Sequence, residues 1–279
     1  MQVIILAAGL GSRLQSFTRD RPKPLIEING VPLIDYSLEP LINIQEIHEI
    51  IIVVGNKGEQ IADHVNRKYR RHGERIRLVH NDQYHKGSVV TLSKALPWID
   101  TRFIVMNADH IYRPRILEKF VAASGQIIVG CDYDRRLTND DMKALLNEGR
   151  LVDIDKLLTK YDAGYIGITR IDLPLLPDYL SCVESVLERE GDSVAVERVI
   201  LEMSKRCLNA QVCDLSGIGW FEVDTPEDKA IAEQGVRAWK EDSWGPALRK
   251  ASLSSVAIAP TALPPSPMSG PDGCGQQYC

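Results

Sequence analysis

The first half of the chain alternates short, continuous apolar runs with longer stretches in which apolar residues recur every three or four positions. Continuous β-branched runs are typical of strands buried on both faces of a parallel sheet, and the wider spacing is typical of amphipathic helices. Strands are predicted at 3–6, 50–54, 76–79 and 103–106. Helices are predicted at 33–41 with Pro32 in the first turn, at 59–72 ending before Gly73, and at 90–96. This alternation indicates an α/β, doubly wound, Rossmann-like sheet that is mostly parallel.

The second half has a more mixed pattern. A short hairpin or meander is predicted over 142–154, turning at Glu148, Gly149 and Arg150. Further strands are predicted at 165–168, 211–214 and 220–223, and helices at 175–190, 194–207 and 226–238, the last with Thr225 as its N-cap. Because ligands of doubly wound sheets bind beyond the carboxyl ends of the strands, the segments that follow the first, third and fourth strands are expected to meet at one edge.

Length and composition favour one globular domain over residues 1–245, since 279 residues with 44% hydrophobic and 25% charged residues can bury a sizeable core. Residues 246–279 are rich in proline, glycine and serine, and Asp272 is the one charged residue after position 250. This tail is predicted to be a disordered, low-complexity segment.

Charge and cysteine usage exclude other classes of protein. A net charge of −5 gives no support for nucleic-acid binding, and no apolar run approaches the ~20 residues that a membrane span needs. The six cysteines show no C-x-x-C spacing, which argues against a zinc site or a disulfide framework. A reduced, cytoplasmic setting is therefore expected.

A glycine-containing turn follows the first predicted strand. Gly9 and Gly11 have no Cβ, so the backbone can turn sharply and bring N–H groups close to phosphate oxygens. Arg13 and Lys23 add two cations that could reach the same anion. The segment lacks the lysine spacing of a P-loop, and Leu14 stands where the dinucleotide fingerprint has its third glycine. The turn is therefore predicted to bind a polyphosphate in some other way.

The full segment L-A-A-G-L-G-S-R-L, followed by P-K-P-L, resembles the signature of the nucleotidyltransferases that join a nucleotide to a sugar phosphate or another phosphorylated alcohol. The resemblance implies a GT-A-like variant of the Rossmann-like fold, with residues 1–125 as the nucleotide half and residues 126–245 as the acceptor half. It also implies that the loop embraces the NTP phosphates and that Arg13 and Lys23 are catalytic, contacting the pyrophosphate and the reacting phosphates. By this match, the nucleotide-binding residues of the signature are Leu6, Ala7, Ala8, Gly9, Gly11, Ser12, Arg13 and Lys23.

Two aspartates match the metal-binding motifs of the same family. Asp109 follows the predicted strand at 103–106, and Asp224 follows the strand at 220–223. Carboxylates at strand ends are well placed to hold Mg²⁺ against phosphates. The resemblance implies that Asp109 and Asp224 share one Mg²⁺. A plain helix-capping role for Asp109 is the alternative.

The middle of the chain resembles the family less specifically. Residues 80–92 occupy the place of the base-reading loop, which implies that Asn81, Gly87 and Ser88 contact the nucleobase, although a plain polar loop is a serious alternative. V-D-I-D-K and Y-D-A-G-Y resemble the acceptor-binding half. This match implies acceptor contacts from Lys156, Asp162 and Gly164, and either an acceptor contact or a packing role for His110.

These features together look most like CTP:inositol-1-phosphate cytidylyltransferases, within the branch that also acts on choline phosphate and aminoethylphosphonate. The expected reaction is Mg²⁺-dependent transfer of a nucleotidyl group, with CTP as the expected donor, to a small phosphorylated alcohol, sugar or phosphonate. A sugar- or cyclitol-phosphate enzyme that uses dTTP, UTP or GTP is the first alternative. A non-catalytic nucleotide-sensing subunit is the second, although it would not need the two metal-binding aspartates. A homo-oligomer is compatible with the sequence.

Overall fold

A computed structural model describes residues 1–206 and 208–239, and these residues fold around one large sheet. Its strands and those of two small hairpin-like sheets are β1 (Gln2–Ala7), β2 (Glu27–Ile28), β3 (Val31–Pro32), β4 (Glu49–Val54), β5 (Ile76–His80), β6 (Phe103–Asn107), β7 (His110–Tyr112), β8 (Ile127–Asp132), β9 (Lys143–Asn147), β10 (Arg150–Asp155), β11 (Ala163–Ile171), β12 (Gln211–Asp214) and β13 (Trp220–Glu222). The helices are α1 (Asp35–Asn43), α2 (Gly58–Lys68), α3 (Ser88–Ala95), α4 (Pro114–Ala122), α5 (Leu176–Glu190), α6 (Glu197–Lys205) and α7 (Pro226–Ala238).

The large sheet has the strand order β5-β4-β1-β6-β11-β8-β12-β10-β9. Its first four strands are mutually parallel, β11 is antiparallel to both neighbours, and β12 runs parallel to β8. The predicted mixed, mostly parallel, doubly wound sheet is therefore confirmed. The carboxyl ends of β1 and β6 lie side by side, because Leu6 pairs with Asn107 in the parallel register.

Helices cover both faces of this sheet. Ile4 of β1 packs towards α3, α5 and α6, whereas its neighbours Val3 and Ile5 pack towards α1, α2 and α4. This alternation is the period-two arrangement of side chains along a strand buried on both faces. A third apolar cluster joins α7 to the segment between β1 and α1, through residues that include Leu14, Ile26 and Val223.

Most predicted elements are confirmed within a residue or two, among them the four parallel strands, the hairpin that turns at Glu148 and Gly149, and the helix over 226–238. Thr225 caps this last helix as predicted, because its hydroxyl accepts a hydrogen bond from the Asp228 backbone N–H and the Asp228 carboxylate accepts one from the N–H of Thr225. This arrangement is a capping box.

Several predicted boundaries are wrong for identifiable reasons. Pro32 lies in β3 rather than in the first turn of α1, since Asn29 and Gly30, both with positive φ, form the tight turn of a β2–β3 hairpin. The helix predicted over 59–72 ends at Lys68, and a separate short helical turn spans Arg70–Arg75. The helix predicted from 194 begins at Glu197, because the preceding backbone is hydrogen-bonded to residues 87–89.

Five strands and helices were not predicted, namely the short strands β2 and β3 and the elements β7, α4 and β8. The predicted strand at 165–168 is also longer, spanning Ala163–Ile171 at the centre of the sheet. The predicted tail over 246–279, with Cys274 and Cys279, lies outside the described residues, as does Cys207. The division at position 125 into a nucleotide half and an acceptor half stays a prediction. Among the described residues, no helix is long and apolar enough to cross a membrane.

A buried carboxylate ties α1 to α2. The side chain of Asp35 is fully buried and accepts hydrogen bonds from Lys68 Nζ at 2.9 Å and from the Tyr69 hydroxyl at 2.8 Å, and it lies 2.8 Å from His64 Nε2. Burial opposes the charged form of Asp35, but His64 and Lys68 outweigh it and lower the pKa of Asp35. The carboxylate therefore stabilises the fold as long as it stays ionised.

Asp35→Asn should lower the melting temperature measured by calorimetry at pH 7. Removing one partner of a buried ion pair costs about 3 kcal/mol or more. This corresponds to a drop of roughly 6–12 °C for a domain of this size. The matched control is Asp63→Asn, an exposed change in α2 that should shift the melting temperature by no more than about 2 °C. Equal losses in the two variants would refute a stabilising role for the Asp35 cluster.

The pH dependence has a definite sign. Because the folded pKa of Asp35 is lowered, its contribution is complete above the ordinary aspartate pKa of about 3.9 and is lost as the pH falls through the lower, folded value. The difference in melting temperature between wild type and Asp35→Asn should therefore shrink only in the acid range below about pH 4. A difference that vanished between pH 8 and pH 6 would point to another titrating group.

Candidate active site

The predicted glycine turn leaves the end of β1 and comes close to the segment that carries Lys23. Gly11 has φ 63°, and a Cβ placed there would lie 2.8 Å from Cβ of Lys23. Any side chain at position 11 would therefore displace Lys23. The Gly11 carbonyl accepts hydrogen bonds from the Leu14 N–H and the Thr18 hydroxyl, which fixes the turn. Gly9 has open space around it.

A separate strand pairing brings the two predicted metal-binding aspartates together. After β6, the Ala108 N–H donates to the carbonyl of Leu6, and β7 then pairs with β13 in antiparallel register. The Val223 N–H donates to the carbonyl of Asp109 at 3.0 Å. Asp109 and Asp224, which are far apart in the sequence, are thereby placed on neighbouring backbone segments at the carboxyl edge of the sheet.

Lys23 lies between these two carboxylates. Its Nζ donates to Oδ2 of Asp109 at 2.7 Å and to Oδ1 of Asp224. Arg13 donates to the other oxygen of Asp224 and lies 3.8 Å from Asp140. Burial works against the charge on Lys23, but Asp109 and Asp224 outweigh it and raise the pKa of Lys23. Burial likewise opposes ionisation of Asp109, yet Lys23 and His110 lower its pKa. Lys23 and Asp109 are thus held charged.

His110 supports Asp109 from the other side. Its Nδ1 lies 2.7 Å from Oδ1 of Asp109, and its ring is stacked between Tyr112 and Trp220 at centroid distances of 5.7 and 5.6 Å. Burial opposes the charged imidazolium, but the bond to Asp109 and the nearby Glu222 raise the pKa of His110. His110 therefore has both a packing role and a bond to Asp109.

Glu222 is a candidate ligand that the sequence analysis did not single out. Ligand atoms of Asp109, His110 and Glu222 all lie within 4.8 Å of one another. Burial raises the pKa of Glu222 to about 7. Carboxylate oxygens are the donors that hard divalent cations such as Mg²⁺ prefer. The acidic group formed by Asp109, Glu222 and Asp224 therefore fits such an ion.

Two cavities meet at this charged cluster. The first cavity has a volume of about 310 Å³ and contains many residues of the predicted nucleotide loop together with a segment that follows β5. Its lining includes Leu6, Ala7, Gly9, Gly11, Ser12, Arg13, Lys23, Tyr84, His85, Lys86, Asp109 and Asp224. The second cavity has a volume of about 160 Å³, and its lining includes Arg13, Asn107, Asp109, His110, Met142, Lys156, Tyr165, Gly167, Glu197, Glu222 and Asp224. Arg13, Asp109 and Asp224 line both cavities.

The residues predicted to read the base lie outside the lining of the first cavity. Asn81 is buried, its amide donating to the Thr91 hydroxyl and accepting from the Gln83 N–H. The Ser88 hydroxyl accepts the Val196 N–H, and a Cβ at Gly87 would lie 2.2 Å from the carbonyl of Val194. These bonds give all three residues structural partners. Their base-reading role stays a prediction that the geometry does not favour.

Three other predicted contacts also lie outside the lining of these two cavities. Ala8 is buried beneath the glycine turn, and its carbonyl accepts the N–H of Asn56. The Asp162 carboxylate accepts the Leu146 N–H at 2.7 Å, and Gly164 lies against the side chain of Leu137. The nucleotide role of Ala8 and the acceptor roles of Asp162 and Gly164 therefore remain predictions without a cavity beside them. Lys156 and His110, in contrast, do line the second cavity.

A model of the MobA-like NTP transferase domain matches residues 3–146, about half of the chain, and spans the glycine turn, Lys23 and Asp109. The chain belongs to this family. It therefore carries a nucleotidyltransferase domain of the MobA-like type.

Individual relatives agree with this family. The bifunctional IPC transferase and DIPP synthase of Rubrobacter xylanophilus is 30% identical over 243 residues, which is 84% of this chain and 52% of that protein. The chain spans about half the length of the first curated relatives it matches.

Solved structures also resemble this member of the MobA-like family. The CTP:phosphocholine cytidylyltransferase of Streptococcus pneumoniae has a TM-score of 0.66 and 26% identity, covering 84% of this chain and 98% of that one. The inositol-1-phosphate CTP transferase of T. maritima has a TM-score of 0.69 at 20% identity, covering 92% of this chain and 97% of that one, and it shows the shared fold.

Replacing Lys23 tests the charge balance of the cluster without any assay of activity. Lys23→Met leaves Asp109 and Asp224 facing each other without their shared cation. The melting temperature in EDTA should therefore fall by roughly 6–12 °C, as for other broken buried ion pairs. Adding Mg²⁺ should raise the melting temperature of the variant more than that of wild type, since in wild type the ion must compete with Lys23 for the carboxylates.

The matched control is Lys160→Met, an exposed lysine that should change neither value by more than about 2 °C. If Lys23→Met is as stable as wild type in EDTA, Lys23 does not hold the two acids together. If the responses to Mg²⁺ are equal, the ion binds elsewhere.

Proposed function

We propose that this protein is a Mg²⁺-dependent cytidylyltransferase that transfers CMP from CTP to a small phosphorylated alcohol or phosphonate and releases pyrophosphate. The observation that carries the proposal is the meeting of two cavities at one charged cluster. A donor and an acceptor must share a boundary at which the new phosphorus–oxygen bond forms. Arg13, Asp109 and Asp224, with Lys23 between the acids, lie at that boundary.

The nucleotide is assigned to the first cavity. The glycine turn supplies backbone N–H groups for phosphate oxygens, and Arg13 and Lys23 supply positive charge. Tyr84, His85 and Lys86 line the same cavity and offer a ring face and polar groups to the nucleoside. The choice of CTP is supported by relatives and solved structures whose names specify CTP or cytidylyl transfer.

The acceptor is assigned to the second cavity. Lys156 lines it and can attract the acceptor phosphate, and Arg13 faces it from the boundary. An acceptor phosphate oxygen is already a charged nucleophile, so it needs no general base. The oxygen attacks the α-phosphorus of CTP, the bond from that phosphorus to the bridging oxygen of the β-phosphate breaks, and pyrophosphate leaves with the electron pair.

The main difficulty of this reaction is to bring two anions together. Lys23 and Arg13 lower that repulsion by placing positive charge where the phosphates crowd, and a fixed geometry avoids reorganisation during the step. Asp109 and Asp224, with Glu222 beside them, would hold Mg²⁺, which when bound neutralises phosphate charge. The requirement for Mg²⁺, rather than another divalent ion, is part of the proposal.

A matrix of nucleotides and acceptors tests the proposed reaction. The full chain is incubated with CTP, UTP, GTP or dTTP and with phosphocholine, 2-aminoethylphosphonate, inositol 1-phosphate or glucose 1-phosphate. Pyrophosphate release and the mass of the product are measured. CTP with a small phosphorylated alcohol or phosphonate should give the highest kcat/KM. Turnover that required UTP or dTTP and glucose 1-phosphate would replace the proposal with sugar nucleotidyl transfer. No turnover with any pair would leave the nucleotide-sensing alternative.

The proposed shared metal site makes a specific prediction for a double-mutant cycle. EDTA should abolish turnover and Mg²⁺ should restore it. Asp109→Asn and Asp224→Asn should each lower kcat on the order of a hundredfold or more, because each removes a charge beside the reacting phosphates. The double variant should lose much less than the product of the two single losses, because either change already spoils the same site.

The cycle is measured at saturating Mg²⁺ with Asp63→Asn as the control for loss of a surface carboxylate. Fully multiplicative losses would mean that Asp109 and Asp224 act separately, and the shared site would be wrong. Retention of at least half of wild-type kcat by either single variant would remove that residue from the proposed metal site.

A further inference from the structure

The second cavity contains two groups of opposite charge that have no ion-pair partner among the described residues. Lys156 and Glu197 both line it, and within the described part of the chain neither side chain forms an ion pair. The other charges around the cavity are already paired or belong to the proposed metal site. A ligand that fills this cavity therefore meets one unpaired cation and one unpaired carboxylate.

Glu197 is the more unusual of the two, because this charged residue is only 8% exposed. It is the first residue of α6, and burial raises its pKa against the opposing effects of its own backbone N–H, of His110 and of a hydrogen bond from Asn107. A helix N-terminus favours a carboxylate, but an exposed one would serve equally well. Burying a carboxylate without a cation costs free energy, so burial at this position calls for a further explanation.

The neighbouring cations do not provide an ion-pair partner that would explain the burial of Glu197. Arg198, the next residue, donates to Glu190 at 2.8 Å and lies 3.6 Å from Asp155. Lys143 is buried, but its Nζ donates to the carbonyl of Lys156 at 2.6 Å. Lys23 and Arg13 are bound to the two aspartates. His110 also favours the charged form of Glu197, but its Nδ1 lies 2.7 Å from Oδ1 of Asp109. Among the described residues no cation is therefore bonded to Glu197, and a bound molecule can supply that counter-charge.

The walls beside Glu197 indicate what kind of cation fits. Met142, Tyr165 and Ala195 line the same cavity. The hydroxyl of Tyr165 is already hydrogen-bonded to Thr169 at 2.8 Å, which leaves mainly its ring to face a ligand. Apolar and aromatic surfaces suit an alkylammonium group, which gains from contact with a ring face. A polyol would bring several hydroxyl groups, each of which needs a partner once it is buried.

We propose that Glu197 determines acceptor specificity by binding a cationic group, so that the acceptor is a zwitterion with its phosphate or phosphonate towards Lys156 and its ammonium group at Glu197. The proposal rests on the nucleotidyl transfer proposed above. It narrows the acceptor class to aminoalkyl or quaternary-ammonium phosphates and phosphonates. It excludes inositol 1-phosphate, whose polyol carries no cationic group, as the preferred acceptor.

Pairs of acceptors that differ in charge but not in shape test this inference on the wild-type chain. With saturating CTP and Mg²⁺, kcat/KM is compared within two pairs. The first pair is phosphocholine and its carbon analogue 3,3-dimethylbutyl phosphate, which lacks the ammonium charge, and the second is 2-aminoethyl phosphate and propyl phosphate. In at least one pair the cationic member should be preferred by about tenfold or more, as expected for a buried charge pair. It should also be preferred to inositol 1-phosphate.

The variant Glu197→Gln keeps the shape of the side chain and removes its charge. It should lower kcat/KM for the preferred cationic acceptor by at least about tenfold, mainly through KM. For the analogue without the ammonium charge, kcat/KM should stay within about twofold of wild type. The matched control, Glu188→Gln on the exposed side of α5, should keep the wild-type ratio. Melting temperatures of both variants are measured, because a purely structural role for Glu197 would lower stability and affect both acceptors equally.

The outcomes separate the two proposals. Preference for an uncharged acceptor, or an equal loss for both members of a pair in Glu197→Gln, would overturn the cationic acceptor while CTP-dependent transfer stands. If Glu197→Gln fails to fold, the wild-type comparison within each pair still decides. Absence of CTP turnover with every acceptor would overturn the proposed function and this inference together.

Discussion

The position of Lys23 between Asp109 and Asp224 is the interaction on which the rest of the site depends. Three backbone segments must be fixed for these groups to meet: the short turn that contains Lys23, the end of β6, and the end of β13. The apolar cluster around Leu14 and Ile26 anchors the turn, and the β7–β13 pairing joins the ends of the two strands. The capping box at Thr225 then directs the chain away into α7 immediately after Asp224. Much of this architecture therefore holds one cation between two acids.

The same cluster gives a physical reason why binding of a nucleotide and of a divalent ion would depend on each other. A polyphosphate needs the charge of Lys23 and Arg13, whereas a divalent ion needs the carboxylates to which these cations are bonded. If either ligand bound alone, it would leave buried groups of one sign without partners, which is costly. When both bind, the cations can turn to the phosphates while the acids turn to the metal. Such an exchange of partners gives positive coupling between nucleotide and metal.

The sequence predicted those parts of the candidate site in which one short segment contains both a recognisable structural pattern and the polar or charged residues. The glycine turn, Asp109 and Asp224 each follow a predicted strand with an apolar pattern, so strand ends located them. Lys23 was located by the P-K-P-L motif and its resemblance to the nucleotidyltransferase signature. Glu222 and Glu197 could not be found in this way, since their importance comes from burial beside residues distant in the sequence. Asn81 shows the opposite difficulty. A polar residue after a strand looks available to a ligand, yet local bonds to Thr91 and Gln83 occupy its amide.

One short segment links the walls of the two cavities. Tyr84, His85 and Lys86 line the first cavity, and residues 87–89 directly after them hold the backbone that leads into α6. The Gly87 N–H donates to the carbonyl of Asp192, and the Ser88 hydroxyl accepts the Val196 N–H one residue before Glu197. Lys86 and Asp192 add an ion pair at 2.9 Å. A shift of this segment would therefore move Glu197, so the wall of the first cavity is mechanically connected to the wall of the second. The bonds of Gly87 and Ser88 give this segment a structural reason for its glycine and serine that does not require contact with the base.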